Sequence, residues 1–137
     1  MIRGSCLCKR VRFEIRGEFG PTSHCHCSMC RKATGAAFGT YAEVKIENLK
    51  IVSGAEVIMR YRSSPGVERT FCARCGSTLQ FVSEKNPGKV EVALGTLDDD
   101  PGIRVLRHIF VASKAPWFEI TDSLPQFPES SSKKPPT

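Results

Sequence analysis

Two pairs of cysteines, Cys6/Cys8 and Cys72/Cys75, stand more than sixty residues apart in the chain. Neither pair completes a metal site alone, because a tetrahedral zinc takes four donors, each thiolate sulfur about 2.3 Å from the ion. Brought together, the pairs close one four-cysteine site and tie the start of the chain to its middle. The chain has seven cysteines, so three remain: Cys25, Cys27 and Cys30, in the pattern C-x-C-x-x-C. A zinc held by three thiolates keeps an open position, the mark of a catalytic rather than a structural site. The other division, in which Cys72 and Cys75 join the triplet, leaves Cys6 and Cys8 stranded. An odd count also fits metal binding better than a closed set of disulfides.

The residues between these groups read mainly as strands. Val11, Phe13 and Ile15 alternate with charged residues, a half-buried strand. Residues 17–23, with Gly20-Pro21, read as a loop. Strands are expected over 36–44, after a turn in 44–52, over 57–61, 67–71, 77–82 and 89–94, and over 103–111. Cys6 and Cys8 fall on the same face if their segment is extended. Ser28 is placed to cap a short helix running to Thr34 and closed by Gly35. Gly76, directly after the C-x-x-C at Cys72, suits a tight turn. Eleven glycines and nine prolines supply the punctuation such a chain needs. Residues 1–123 are read as one zinc-binding β domain. Residues 124–137, with four prolines and three successive serines, are read as a disordered tail.

Composition narrows the partners. The formal charge is +6. A four-thiolate zinc carries a net −2 and a three-thiolate zinc −1, which brings the loaded chain to about +3. That excess is small for a nucleic-acid binder and suits a small anionic substrate equally well. No apolar run is long enough to cross a membrane, and residues 1–6 lack the apolar core of a signal peptide. A cytoplasmic, reducing environment is therefore expected, where clustered cysteines serve metals or redox chemistry.

Other polar residues are weighed one by one. His26 alternates with Cys25 and Cys27 and points away from their metal on an extended segment, and His24 shares its parity. His108 opens an apolar stretch and reads as a structural histidine. Arg31 and Lys32 read as a solvated helix face, with contact to substrate carboxylates as the functional reading. Asp98 and Asp99 sit in a Gly/Pro loop, where carboxylates are usually solvated. Trp117 and Phe118 read as core or pocket wall.

Five motifs occur in order: G-S-C-L-C at Gly4, C-H-C-S-M-C-R-K at Cys25, F-C-A-R-C-G-S at Phe71, G-T-L-D-D at Gly95 and H-I-F-V-A-S-K-A-P-W at His108. In these the chain resembles the glutathione-dependent formaldehyde-activating enzymes, also called the centromere-protein-V-like family, over about residues 3–120. The resemblance implies a mainly β fold of several coiled sheets around a structural zinc, with little helix, like methionine sulfoxide reductase B. It implies two zinc ions per chain. Cys6, Cys8, Cys72 and Cys75 match the structural ligands, and Cys25, Cys27 and Cys30 match the catalytic ones. The implied activity is formation of S-(hydroxymethyl)glutathione from formaldehyde and glutathione, a carbon–sulfur lyase reaction in reverse. The implied partner is a small thiol or aldehyde, glutathione among them. A non-catalytic zinc-stabilised binding module, or a redox or metal sensor, is the other kind of protein these cysteines can make.

Overall fold

The computed structural model describes residues 1–130. Among them are ten strands and one α-helix: β1 (Ile2–Ser5), β2 (Arg12–Ile15), β3 (Thr22–Cys25), α1 (Ser28–Thr34), β4 (Gly39–Lys45), β5 (Leu49–Ser53), β6 (Ile58–Ser64), β7 (Val67–Cys72), β8 (Thr78–Ser83), β9 (Lys89–Ala93) and β10 (Arg107–Ile109). The fold is mainly β, as the motifs imply. The chain divides into two compact units, one of Met1–Gly20 with Ala42–Ile103, the other of Pro21–Tyr41 with Arg104 onward.

In the first unit β1, β2 and β5 form an antiparallel sheet in the order β1-β2-β5. Phe13 and Ile15 of β2 point inward, as their alternation with Arg12 and Glu14 requires. They pack with Val44, Val90 and Val92 into one buried cluster. Burying side chains of this size is worth about 1.5–3 kcal/mol each. Gly4 lies opposite Phe13 in the sheet. A Cβ on Gly4 would sit 2.2 Å from the Phe13 ring, so only glycine lets that ring lie across β1. Strands β4, β9, β8, β7 and β6 follow one another in a second sheet. A second buried cluster contains Val11 and Leu79 together with Cys6 and Cys72.

In the second unit β10 pairs with β3 in parallel, setting His108 opposite His24 and Ile109 opposite Cys25. The strand expected over 103–111 shrinks to Arg107–Ile109, because its partner β3 is itself only four residues long. The loop expected through 23 ends earlier, where β3 begins at Thr22. The strand expected from 36 starts at Gly39.

The tail expected from 124 also meets the structure. The His108 N–H donates to the Pro125 carbonyl at 2.8 Å, and the Phe127 N–H donates to the His108 carbonyl at 2.9 Å. Residues 124–130 thus supply partners to the side of β10 that β3 leaves open, and Leu124 and Phe127 are half-buried. Proline content suggested disorder, but a strand edge needs acceptors whatever the composition. Residues 131–137 of the expected tail lie outside the described residues.

Candidate metal centres

All seven cysteines are free thiols. The sulfurs of Cys6, Cys8, Cys72 and Cys75 lie within 4.8 Å of one another, and so do those of Cys25, Cys27 and Cys30. Each group can hold a metal ion. A tetrahedral four-sulfur zinc sets its sulfurs about 3.8 Å apart, from a zinc–sulfur distance of about 2.3 Å. Cys6 and Cys8 are 3.5 Å apart, and Cys8 and Cys72 3.9 Å, so the four-sulfur group already has the required size.

The segment that presents Cys6 and Cys8 is not extended, contrary to the alternation argument. It is a turn, in which the Lys9 N–H donates to the Cys6 carbonyl at 2.9 Å and Lys9 takes a positive φ of 63°. The turn, not strand parity, brings the two sulfurs together. The opposite pair sits on a matching turn closed by the Gly76 N–H on the Cys72 carbonyl at 2.8 Å, with Gly76 at φ 78°. Donors then face the sulfurs. The Val11 N–H points at Cys6 Sγ over 3.3 Å, and Ser77 Oγ lies 3.2 Å from Cys75 Sγ while accepting the Leu7 N–H. Such donors stabilise thiolate and orient it for a cation.

The charge state of the sulfurs points the same way. The Ser77 hydroxyl, aided by backbone donors, holds the Cys75 thiol down to about 5. Cys8 gains from the Arg10 N–H, yet burial and the neighbouring thiols push it up to about 11. One group thus mixes an easily ionised thiol with a resistant one, since four sulfurs this close do not all ionise without a cation among them. In the triplet, hydrogen bonding to Cys27 and Cys30, followed by burial, pushes Cys25 up.

Cys25 ends β3 and is buried, while Cys27 caps α1. The cap is a correction to the expected Ser28. The Cys27 thiol accepts the Cys30 N–H at 3.3 Å, and Ser28 is the first helical residue. Gly35 closes the helix in the left-handed conformation, its N–H on the Arg31 carbonyl at 2.8 Å. Arg31 and Lys32, paired in the sequence reading, separate here. Lys32 is exposed, whereas the Nε of Arg31 is buried with no hydrogen-bond partner.

The three histidines of the chain meet in one cluster. His24 and His108 lie 4.9 Å apart by ring centroids, His26 and His108 5.0 Å, and Phe38 contacts His24 at 4.3 Å and His26 at 5.0 Å. His24 bonds Thr40 Oγ1 through Nδ1 at 2.7 Å. His26 Nε2 lies 2.8 Å from His108 Nδ1, and His108 Nε2 lies 2.9 Å from Asp122 Oδ2. The structural reading of His108 is met by these bonds. The chain they form was missed, as was Asp122, which belongs to none of the motifs. Burial, with His108 next, pulls His26 down to about 4. Burial likewise lowers His24, and the bond from His108 lowers Asp122. His26 Nδ1 is buried and has no partner.

Asp98 and Asp99 stay outside both groups, but they are not free in solvent. Asp99 receives two bonds from the Arg3 guanidinium at 2.8 and 3.0 Å, and Asp98 accepts the Ser5 hydroxyl at 2.9 Å. Trp117 is 70% exposed and is not core. It walls a groove of about 560 Å3 with Lys114, Phe118 and Gln126. Phe118 packs on Phe38 at 5.4 Å and reaches the His26 ring at 6.2 Å. A cleft of about 430 Å3 in the first unit, lined by Arg3, Lys9 and Arg12 among others, contains no cysteine.

Fold and cysteines together define a β-rich chain with two candidate metal centres. Residues 1–113 match the family model described as glutathione-dependent formaldehyde-activating enzyme, and the chain belongs to that family. A Halomonas elongata protein, named as a candidate glutathione-dependent formaldehyde-activating enzyme, is 35% identical over 133 residues, covering 88% of this chain and 81% of that protein. An uncharacterised lyase of Schizosaccharomyces pombe is 36% identical over 86 residues, 61% of each chain. The crystal structure of a Rhodobacter sphaeroides protein superposes with a TM-score of 0.61 at 28% identity, covering 74% of this chain and 90% of that one.

Proposed function

We propose that the chain is a zinc-dependent enzyme of thiol–aldehyde chemistry, joining formaldehyde to glutathione or a related thiol and acting as a carbon–sulfur lyase in reverse. The observation that carries this reading is a three-sulfur group in a chain that also has a complete four-sulfur group. Cys6, Cys8, Cys72 and Cys75 hold a structural zinc. Cys25, Cys27 and Cys30 hold a catalytic one. A zinc at the triplet supplies a lowered thiol pKa and hence a thiolate ready to attack an aldehyde carbon. Three thiolates weaken its Lewis acidity, so delivering a thiolate fits it better than polarising a carbonyl.

The chain's own residues hold and orient the thiol. The unpartnered Arg31 Nε is a donor for a substrate carboxylate, one residue from Cys30. The groove walled by Trp117 and Phe118, which Lys114, Glu119 and Gln126 also line, offers aromatic surface beside polar groups for the body of a peptide thiol. No helix among the described residues is long and apolar enough to cross a membrane, and seven free thiols suit a reducing compartment such as the cytoplasm.

The test is metal content with turnover. The loaded protein should bind two zinc ions and speed the interconversion of glutathione and formaldehyde with their adduct, followed by exchange NMR. Cys27→Ser should lose one zinc and the activity while keeping its β-rich circular dichroism. Two zinc ions with no acceleration by wild type would favour the binding module. Loss of the second zinc on mild oxidation, with no turnover before it, would favour the sensor.

A further inference from the structure

The cleft of about 430 Å3 in the first unit takes no part in the function proposed above. Sheet register assembles its walls. Ser5 of β1 stands opposite Arg12 of β2, and Arg3 opposite Glu14. Asp98 is tied to the same wall: its N–H donates to the Arg3 carbonyl at 2.7 Å, and its Oδ1 accepts the Ser5 hydroxyl at 2.9 Å. Lys9, from the turn before β2, lines the cleft as well.

The charges around this cleft do not cancel. Arg3 is taken by Asp99, through bonds of 2.8 and 3.0 Å, and Glu14 lies 3.6 Å from Arg16. Lys9, Arg12 and Asp98 form no ion pair among the described residues. Arg12 stands beside Ser5, whose hydroxyl Asp98 accepts, yet it does not pair with Asp98. Its Nε donates instead to the Lys9 carbonyl at 3.1 Å. That carbonyl is itself fixed, because Lys9 holds φ 63°, an uncommon backbone for lysine, in the turn that gathers Cys6 and Cys8. The guanidinium is thus anchored by one nitrogen, with its two terminal nitrogens left over. Such a fork matches a carboxylate. Two cations and one carboxylate therefore line one concave surface. On a convex face water would screen them, whereas a cleft with low-dielectric walls focuses their field.

We propose that this cleft binds a free acidic amino acid, its carboxylates on Arg12 and Lys9 and its ammonium on Asp98. Three charges of the ligand then meet three of the protein, and none is left over. A plain dicarboxylate leaves Asp98 without a partner. A neutral amino acid leaves one cation, and inorganic phosphate sets its own charge against Asp98. Val52, 51% exposed on the cleft, gives the short methylene chain an apolar neighbour. Glutathione carries the same three charges, but spread along a tripeptide rather than within one residue. The site contains no cysteine and is independent of the thiol–aldehyde reading, so neither proposal falls with the other.

The test is an NMR titration of the zinc-loaded, 15N-labelled full chain with aspartate at fixed salt. The amide resonances of Ser5, Lys9, Arg12 and Asp98 should move together and saturate. Succinate, which lacks the ammonium, should bind about tenfold more weakly, the worth of one charge-assisted hydrogen bond. Asp98→Asn keeps an acceptor for Ser5 and removes only the charge, so it should erase the advantage of aspartate over succinate. Arg12→Gln should weaken aspartate by about tenfold. Circular dichroism and zinc content check that variant; if either changes, the Asp98→Asn comparison decides alone. Shifts that never saturate overturn the proposal. So does equal binding of aspartate and succinate by the wild type. Tighter binding of glutathione than of aspartate overturns it too, and makes the cleft a peptide site instead.

Discussion

His26 Nε2 and His108 Nδ1 meet at 2.8 Å across 82 residues of chain. The contact is built by main-chain pairing before any side chain is considered. Parallel pairing of β3 with β10 sets His108 opposite His24, and the His26 N–H continues the ladder onto the Ile109 carbonyl at 2.9 Å. Residues of the cysteine segment and of the H-I-F-V motif are thereby joined into one unit.

Cys72 is fully buried in the cluster with Val11 and Leu79. Cys72→Ser should remove one zinc and most of the fold. Apparent zinc binding at structural sites is worth about 10–16 kcal/mol, against a total stability of about 5–15 kcal/mol. Metal analysis with circular dichroism checks this. A Cys72→Ser protein with wild-type melting and two zinc ions would show that the four-sulfur group is not structural.

Gly4→Ala drives a methyl to 2.2 Å from the Phe13 ring. Overpacking of this kind costs about 1–3 kcal/mol, read as a lower urea midpoint. Phe13→Leu in the same chain should recover part of the loss, since a smaller side chain leaves β1 room. If Gly4→Ala costs the same with and without Phe13→Leu, the ring is not the obstacle.

Asp99 is held down to about 2, first by its hydrogen bond from Arg3. A depressed folded pKa stabilises above the unfolded value, near 3.8, and that stabilisation fades as pH falls through about 2. The difference in urea midpoint between wild type and Asp99→Asn should therefore be full at pH 6 and shrink from about pH 4 downward. Acid loss of metal affects both proteins and cancels in the difference. A gap that stays constant with pH would show that the Arg3 pairing does not set stability.

A chain ending at Ser123 loses the Pro125 carbonyl that accepts the His108 N–H and the Phe127 N–H that bonds the His108 carbonyl. Hydrogen exchange at residues 107–109 should quicken, and the triplet should release its zinc more readily to a chelator. Unchanged exchange would mean that solvent replaces the lost partners without cost.

Sequence pattern reached the cysteine grouping because ligand arithmetic is independent of the path of the chain between ligands. It reached β2 because Phe13 and Ile15 alternate cleanly with charge, and the helix stop because Gly35 is placed where a left-handed cap belongs. It did not reach the histidine cluster. Period-two parity says which side of its own strand His26 leaves, but nothing local announces that β3 pairs with a segment more than eighty residues later. Asp122 was invisible for the same reason, its role being defined only by His108. Residues 124–130 were misread because proline and serine report a low propensity for regular structure, whereas a neighbouring strand needs only their carbonyls and amides. The turn at Cys6–Lys9 was misread as extended because C-x-C satisfies either geometry.

The separation of the ligands also imposes an order in time. The triplet spans six residues and can capture an ion as soon as those residues leave the ribosome. The Cys8–Cys72 contact waits for a 64-residue loop to close, and loop closure is paid in entropy before any contact returns it. The centre proposed to do chemistry is thus the one that can load first, on a chain with nothing folded around it. During synthesis its three sulfurs are a chelating peptide, and they become a shaped site only when β10, emerging last, slides in beside them.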